Sequence, residues 1–230
     1  MKRFVEGVDR GQSTSVEVQD PGSWPFNQHQ GDFVKTNDIP VEVVEDRRRR
    51  RDEQVTRAVG RALTPSEMWG YTNSYCSSMI HDINVVHGVL ESLAIDTGPV
   101  VGAAFFAGGD GSHGCVRLTG CDAIWQLTHL FVHKVADYKK RVILYFNDCV
   151  YELTFPSPYL NHFPTRLTVS RSEAACLEET TYRASYEEPF IRELVGFWRS
   201  VVEDAPVRNT VEAATKDLSL VSRLTEFAIR

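Results

Sequence analysis

Between Val100 and Val169 apolar and polar residues alternate with a period of two, and on either side of that stretch the spacing lengthens to three and four. Period two turns successive side chains to opposite faces of a strand, whereas three-four spacing gathers them on one side of a helix. The pattern predicts strands over 100–106, 123–133, 141–146, 150–155 and 167–169, with Asn147-Asp148 as the turn between two of them. Val16 and Val18 alternate with polar neighbours, so 15–20 reads as another, half-exposed strand that Pro21-Gly22 ends. A polar loop holding Trp24, Asn27 and His29 follows.

Helical spacing fills much of the rest. Residues 40–63 read as a helix with a charged middle. Thr64-Pro65-Ser66-Glu67 is a helix start, with Thr64 to cap, Pro65 at the first helical position and Glu67 to bond back. The next helix gathers Ile80, Ile83, Val86, Leu90 and Leu93 on one face. Near the end, Ser185 and Glu188 read as a second capping box, before an apolar face of Phe190, Leu194, Phe197, Trp198 and Val201. Thr210 starts a last helix, with Leu218, Val221, Leu224 and Ala228 predicted inward. Strands on short turns with helices at both ends predict an α+β fold: an open, largely antiparallel sheet with helices packed on one face. No repeat or boundary divides the chain, so 1–230 is expected to form a single domain.

Composition narrows the partners. The chain has 230 residues, 42% hydrophobic and 24% charged, as a folded protein has. Its net charge of -6 argues against nucleic acid. The run Arg47 to Arg51 lies between Glu45-Asp46 and Asp52-Glu53, which makes it a solvated helix face rather than a polyanion site. No apolar run approaches the roughly 18 residues of a membrane span, and no signal peptide opens the chain. A cytoplasmic protein with no membrane partner is expected. Cys76, Cys115, Cys121, Cys149 and Cys176 form no CxxC pair and read as reduced thiols, without a metal site.

Gly109-Asp110-Gly111-Ser112-His113-Gly114 spells GxGxxG, but a dinucleotide fingerprint needs a helix after it, and 115–120 has no helical pattern. A glycine-rich hairpin loop is expected there, and no cofactor site. His129 and His133 lie in a strand pattern, where residues four apart stand some 13 Å from end to end. That is too far for one ion with bonds of about 2 Å, so both read as exposed strand residues. His81 is the candidate catalytic group, because imidazole can take a hydroxyl proton near neutral pH. Asn84, one turn along, is placed to hold a substrate hydroxyl. Tyr159, His162 and Arg166 crowd the end of a strand and the loop after it, and Arg166 offers a planar fork to an anionic group.

Three stretches carry a family resemblance: Ser77-Ser78-Met79-Ile80-His81-Asp82-Ile83-Asn84, the segment from Phe155 to Leu167, and the tail through Ser185-Tyr186-Glu187-Glu188, Thr210-Val211-Glu212-Ala213 and Lys216-Asp217-Leu218. Together they resemble the C-terminal, substrate-side half of the Gfo/Idh/MocA oxidoreductases. In that family the first block carries an aspartate, a histidine four residues on and a second aspartate three beyond. Here those positions are Ser77, His81 and Asn84, so the histidine is kept and both carboxylates are replaced. Members begin with a Rossmann domain, and this chain resembles the half C-terminal to that domain, without the strand–GxGxxG–helix unit or the Glu-Lys-Pro lysine. The resemblance implies His81 as the catalytic residue, with Ser77, Asn84, Tyr159, His162 and Arg166 binding substrate.

The implied protein is the substrate-binding and oligomerisation domain of an NAD(P)-dependent oxidoreductase acting on a sugar, sugar acid or cyclitol. NAD(P) would come from a cofactor domain that is missing or on a separate chain, docked on an exposed apolar patch. Homo-oligomers through the sheet face are expected. Two other readings stand beside it: a non-catalytic binding or scaffold protein, and a cofactor-independent isomerase, lyase or cyclase using His81.

Overall fold

A computed structural model describes residues 10–16, 38–132, 138–158 and 160–230, with 10–16 described by backbone. The strands are β1 (Arg10–Val16), β2 (Asp96–Phe106), β3 (Gly111–Thr119), β4 (Ile124–Leu130), β5 (Lys139–Tyr145), β6 (Cys149–Phe155), β7 (Arg166–Glu173) and β8 (Cys176–Arg183). Among the described residues they form one sheet in the order β2-β3-β4-β1-β5-β6-β7-β8. β1 runs parallel to β4, and every other neighbouring pair is antiparallel. The expected α+β fold with a largely antiparallel sheet is therefore what the chain forms. Of the strand predicted over 15–20, only Ser15 and Val16 fall in β1. Residues 17–20, the loop with Trp24, Asn27 and His29, and His133 lie outside the described residues.

Two strands escape the sequence pattern. β3 follows the turn at Ala107–Gly109 and uses up most of the GxGxxG segment. β8 is exposed along its whole length.

The helices are α1 (Val41–Val59), α2 (Pro65–Trp69), α3 (Ile80–Ser92), α4 (Pro189–Val202) and α5 (Val211–Ala228), with a π-helical stretch, Gly70–Met79, joining α2 to α3. Thr64 caps α2 as predicted: its hydroxyl accepts from the Glu67 N–H at 3.3 Å, and the Glu67 carboxylate accepts from the Thr64 N–H at 2.8 Å. Arg61, 2.6 Å from Glu67, holds that carboxyl well below the usual range, at about 2. Thr64→Ala is expected to cost about 1 kcal/mol in urea denaturation, the usual worth of such a cap. Thr210 caps α5 through the Ala213 N–H at 3.2 Å.

The Ser185/Glu188 box does not form. Pro189 opens α4, the Ser185 hydroxyl accepts from the Glu187 N–H at 3.0 Å, and Glu188 turns to the His162 N–H instead. On α1 the arginines are solvated as expected, with Arg49 paired to Asp46 and Glu53 and Arg50 to Asp46.

The core lies on one face of the sheet. Val116, Trp125, Leu127 and Val142 from the strands meet Met79, Ile83, Val86 and Leu90 from the connected helices and Leu220, Val221 and Leu224 from α5. Leu218, predicted inward, is 51% exposed, because the buried stripe of Asp217, Leu220, Val221, Leu224 and Thr225 is centred about 100° round the helix from it. The helices cover this face only as far as β5. Register carries the same side of the sheet on through Leu144, Tyr151, Val169 and Thr180, and through Val142, Leu153, Leu167 and Tyr182. The opposite face is open and mostly polar, with Gln126, Thr128, Glu152, Thr154 and Ser170 at successive positions. No helix among the described residues is long and apolar enough to cross a membrane.

Candidate functional site

The π-helical stretch and α3 place Ser77, His81 and Asn84 along one outward stripe, with Met79, Ile83, Val86 and Leu90 turned to the core. Ser77 and His81 are exposed, and Asn84 is half-buried. Asn84 has a task of its own: its side-chain N–H groups donate to Asn209 Oδ1 at 3.3 Å and Asp217 Oδ2 at 2.7 Å, clamping α3 to the start of α5. Its amide oxygen, the His81 ring and the Ser77 hydroxyl are the groups this stripe can offer a hydroxyl. Among the described residues no cluster of His, Cys, Asp or Glu is arranged to hold a metal ion.

The other candidates stand apart. His162 sits in the loop between β6 and β7 at a left-handed φ of 58°, its ring Nδ1 3.1 Å from the Tyr186 carbonyl. Arg166 opens β7 and pairs in register with Thr154 and Arg183, on the sheet face opposite the helices. The sheet therefore separates Arg166 from His81. Tyr159 lies outside the described residues.

Two buried polar pairs underlie the stripe, and the sequence pattern alone reveals neither. Lys140 on β5 reaches Asp82 at 3.0 Å, with both side chains nearly sealed from solvent. His87 Nδ1 lies 2.5 Å from Asp217 Oδ1, again inside, with its ring edge-on to Trp125 at 5.8 Å. A signal existed in each case. Asp82 falls three and four residues from Met79 and Val86, and Asp217 three and four from Leu220 and Val221, so each carboxylate occupies a core position of its helix. Polar residues at such positions need partners.

Burial depresses the His87 pKa despite the Asp217 carboxylate beside it. A histidine depressed in the folded state stabilises above its ordinary value of 6.5 and loses that contribution as pH falls, since the unfolded chain then takes up the proton first. The melting temperature is expected to fall from pH 7 to 5, and His87→Gln to flatten that slope; equal slopes in both proteins would refute it.

His129, predicted exposed, is buried. It faces the core from β4, and its ring Nδ1 lies 2.6 Å from the Ser74 hydroxyl. A hydrogen bond 55 residues away in sequence lets imidazole take an apolar site. Burial raises the pKa of Cys76, Cys115, Cys121 and Cys149, so these thiols stay protonated and unreactive at neutral pH.

The glycine segment fails the test for a dinucleotide. It leads into β3, with no helix N-terminus to face a pyrophosphate. Packing accounts for its glycines. A Cβ at Gly109 would stand 2.4 Å from the Ser66 carbonyl oxygen, one at Gly111 2.1 Å from Phe106, and one at Gly114 2.1 Å from Leu127.

No protein-family model and no curated protein matches the chain. Solved structures do. It is similar to UDP-N-acetylglucosamine 3-dehydrogenase GnnA from Acidithiobacillus ferrooxidans, at a TM-score of 0.57 and 13% identity, over 96% of this chain and 54% of that one. It is also similar to KijD10, a 3-ketoreductase from Actinomadura kijaniata in complex with NADP and TDP-benzene, at a TM-score of 0.56 and 12% identity, over 99% of this chain and 57% of that one. The likeness is one of fold, shared with about half of each of these enzymes, as the resemblance to the C-terminal half of the Gfo/Idh/MocA oxidoreductases implies. The chain spans about half the length of the structures it matches.

Proposed function

We propose that this chain is the substrate half of a sugar-processing oxidoreductase, holding a polyhydroxylated ligand along the Ser77–His81–Asn84 stripe. The extent of the match supports the reading: nearly all of this chain aligns with about half of GnnA or KijD10, the second solved with NADP. Electron transfer belongs to a cofactor that these residues do not seat, so a cofactor domain outside them has to supply it. That domain has to approach the outer side of α3, where a ligand would lie against His81. The ring of His81 takes the proton of the ligand hydroxyl, and Asn84 Oδ1 accepts a bond from a neighbouring hydroxyl. The replacement of both family carboxylates by Ser77 and Asn84 leaves the stripe without a carboxylate of its own, which suits an uncharged sugar ring.

Thermal shift and calorimetry with UDP-N-acetylglucosamine, D-gluconate, myo-inositol, NAD+ and NADP+ test this. A shift with at least one of the first three, lost in His81→Ala, and none with either nicotinamide is the expected result. Tight NADP+ binding by the chain alone overturns the reading, as does the absence of any response to all three polyols at 10 mM.

A further inference from the structure

The Asn84 amide is not free to choose which end it shows. Its nitrogen stands 2.7 Å from Asp217 Oδ2 and 3.3 Å from Asn209 Oδ1. A carboxylate only accepts, so the end that meets Asp217 has to be the NH2 group. The oxygen is left to the outer side of α3. Asp217 is fixed in turn: it is 4% exposed, and His87 Nδ1–H donates to its other oxygen at 2.5 Å. That bond sets the tautomer of His87, because a bare Nδ1 would turn a lone pair toward the carboxylate. His87 Nε2 is buried without a partner, so the ring has no second hydrogen bond to replace this one. The polarity of the whole network therefore runs one way, with both neighbours donating to Asp217.

We propose that Asp217 is a positioning residue that makes Asn84 a fixed acceptor, so that the stripe takes a ligand with a free hydroxyl beside the one that meets His81 and rejects an ether or a carbonyl there. This selectivity rests on the sugar-binding role of the stripe proposed above and adds to it a rule for the second position. An ether oxygen against Asn84 Oδ1 sets one acceptor against another, and a polar group left unpaired in this way weakens binding on the order of tenfold. Asp217 also accounts for the asparagine. A carboxylate at position 84 would lie within hydrogen-bond distance of a second one, where both cannot ionise.

Asp217→Asn reverses the polarity at nearly constant shape. The introduced amide has to give its oxygen to His87 Nδ1–H, which leaves its NH2 group to Asn84. Asn84 then turns its oxygen inward and its NH2 group outward, and the exposed Asn209 amide turns to match. Position 84 now donates, to an ether as readily as to a hydroxyl. Adding Asn84→Asp restores an outward acceptor, since the new carboxylate accepts from the amide at position 217.

Nuclear magnetic resonance titration of the intact chain with trans-cyclohexane-1,2-diol and its monomethyl ether tests this. The diol has a hydroxyl for His81 and one for Asn84, whereas the ether keeps the first and offers only an acceptor to the second. The wild type is expected to prefer the diol by about tenfold, Asp217→Asn to bind the two within about twofold, and Asp217→Asn/Asn84→Asp to regain the preference. A role in stability alone would not exchange the preference in this way. The Asn84 side-chain amide protons, which need no variant and no ligand, should exchange slowly with water in the wild type. Equal binding of both probes by the wild type overturns the inference and leaves the sugar-binding reading standing. So does a preference that survives Asp217→Asn, or amide protons that exchange at the solvent rate. A wild type that binds neither probe, nor myo-inositol, D-gluconate or UDP-N-acetylglucosamine, overturns both.

Discussion

Lys140→Met is expected to destabilise the chain by about 3–5 kcal/mol, the usual result of removing one partner from a buried ion pair. The amine stands 3.0 Å from Asp82 and over the Phe155 ring at 5.8 Å, in a position that water barely reaches. Without it the buried Asp82 carboxylate loses its cation. The double variant Asp82→Leu/Lys140→Met removes both charges and is expected to recover most of the loss. Urea denaturation of the four proteins measures this as a coupling energy. A single-variant cost below about 1 kcal/mol would show that solvent screens the pair after all. The pair also bears on the site, because Asp82 follows His81 directly and fixes the first turn of α3 on β5. Sugar binding should therefore weaken in Lys140→Met and return in the double variant.

The second large effect is expected at Leu224→Ala, a loss of about 3–4 kcal/mol. Leu224 is fully buried on α5 and fills the space above Gly114, where a Cβ would stand 2.7 Å from its Cδ2 and 2.1 Å from Leu127 Cδ1. Gly114→Ala alone should cost about 1–3 kcal/mol by overpacking. Combined with Leu224→Ala it should cost less than the sum, because the new methyl enters the cavity left by the leucine. Additive costs would mean that helix and strand do not meet at that glycine. The pair of variants also shows what the GxGxxG spelling is for in this protein: seating a helix on a sheet.

These residues show where the sequence was readable. β6 announced itself because Tyr151, Leu153 and Phe155 alternate with Glu152 and Thr154, and β5 because its apolar run from Val142 to Phe146 ends at the Asn147-Asp148 turn. β3 was lost because Gly111, Gly114 and Cys115 supply little apolar signal, though β2 and β4 pair with it on both edges. β8 was lost for the opposite reason. Its run Glu178-Glu179-Thr180-Thr181 is polar on both faces, as an uncovered edge strand is.

Local pattern also cannot find partners distant in sequence. His129 looked exposed because its bond to Ser74 joins a strand to a helical turn far upstream. The stripe of His81 and Asn84 was legible from helical spacing, and Ser77 joined it only through the family resemblance. Arg166 was grouped with Tyr159 and His162 by its place in the chain and with the stripe by the family resemblance, but the alternation of β7 sends it to the far side of the sheet.

The position of β1 has a consequence for how the chain reaches this shape. The ribbons β2-β3-β4 and β5-β6-β7-β8 are each wired in sequence order by short links, so each can assemble from neighbouring segments. Residues 10–16 then have to travel back from the amino end to slot between them, with parallel pairing on one side and antiparallel on the other. That late, long-range insertion is the seam along which a growing or stressed chain would come apart into two half-sheets with raw edges.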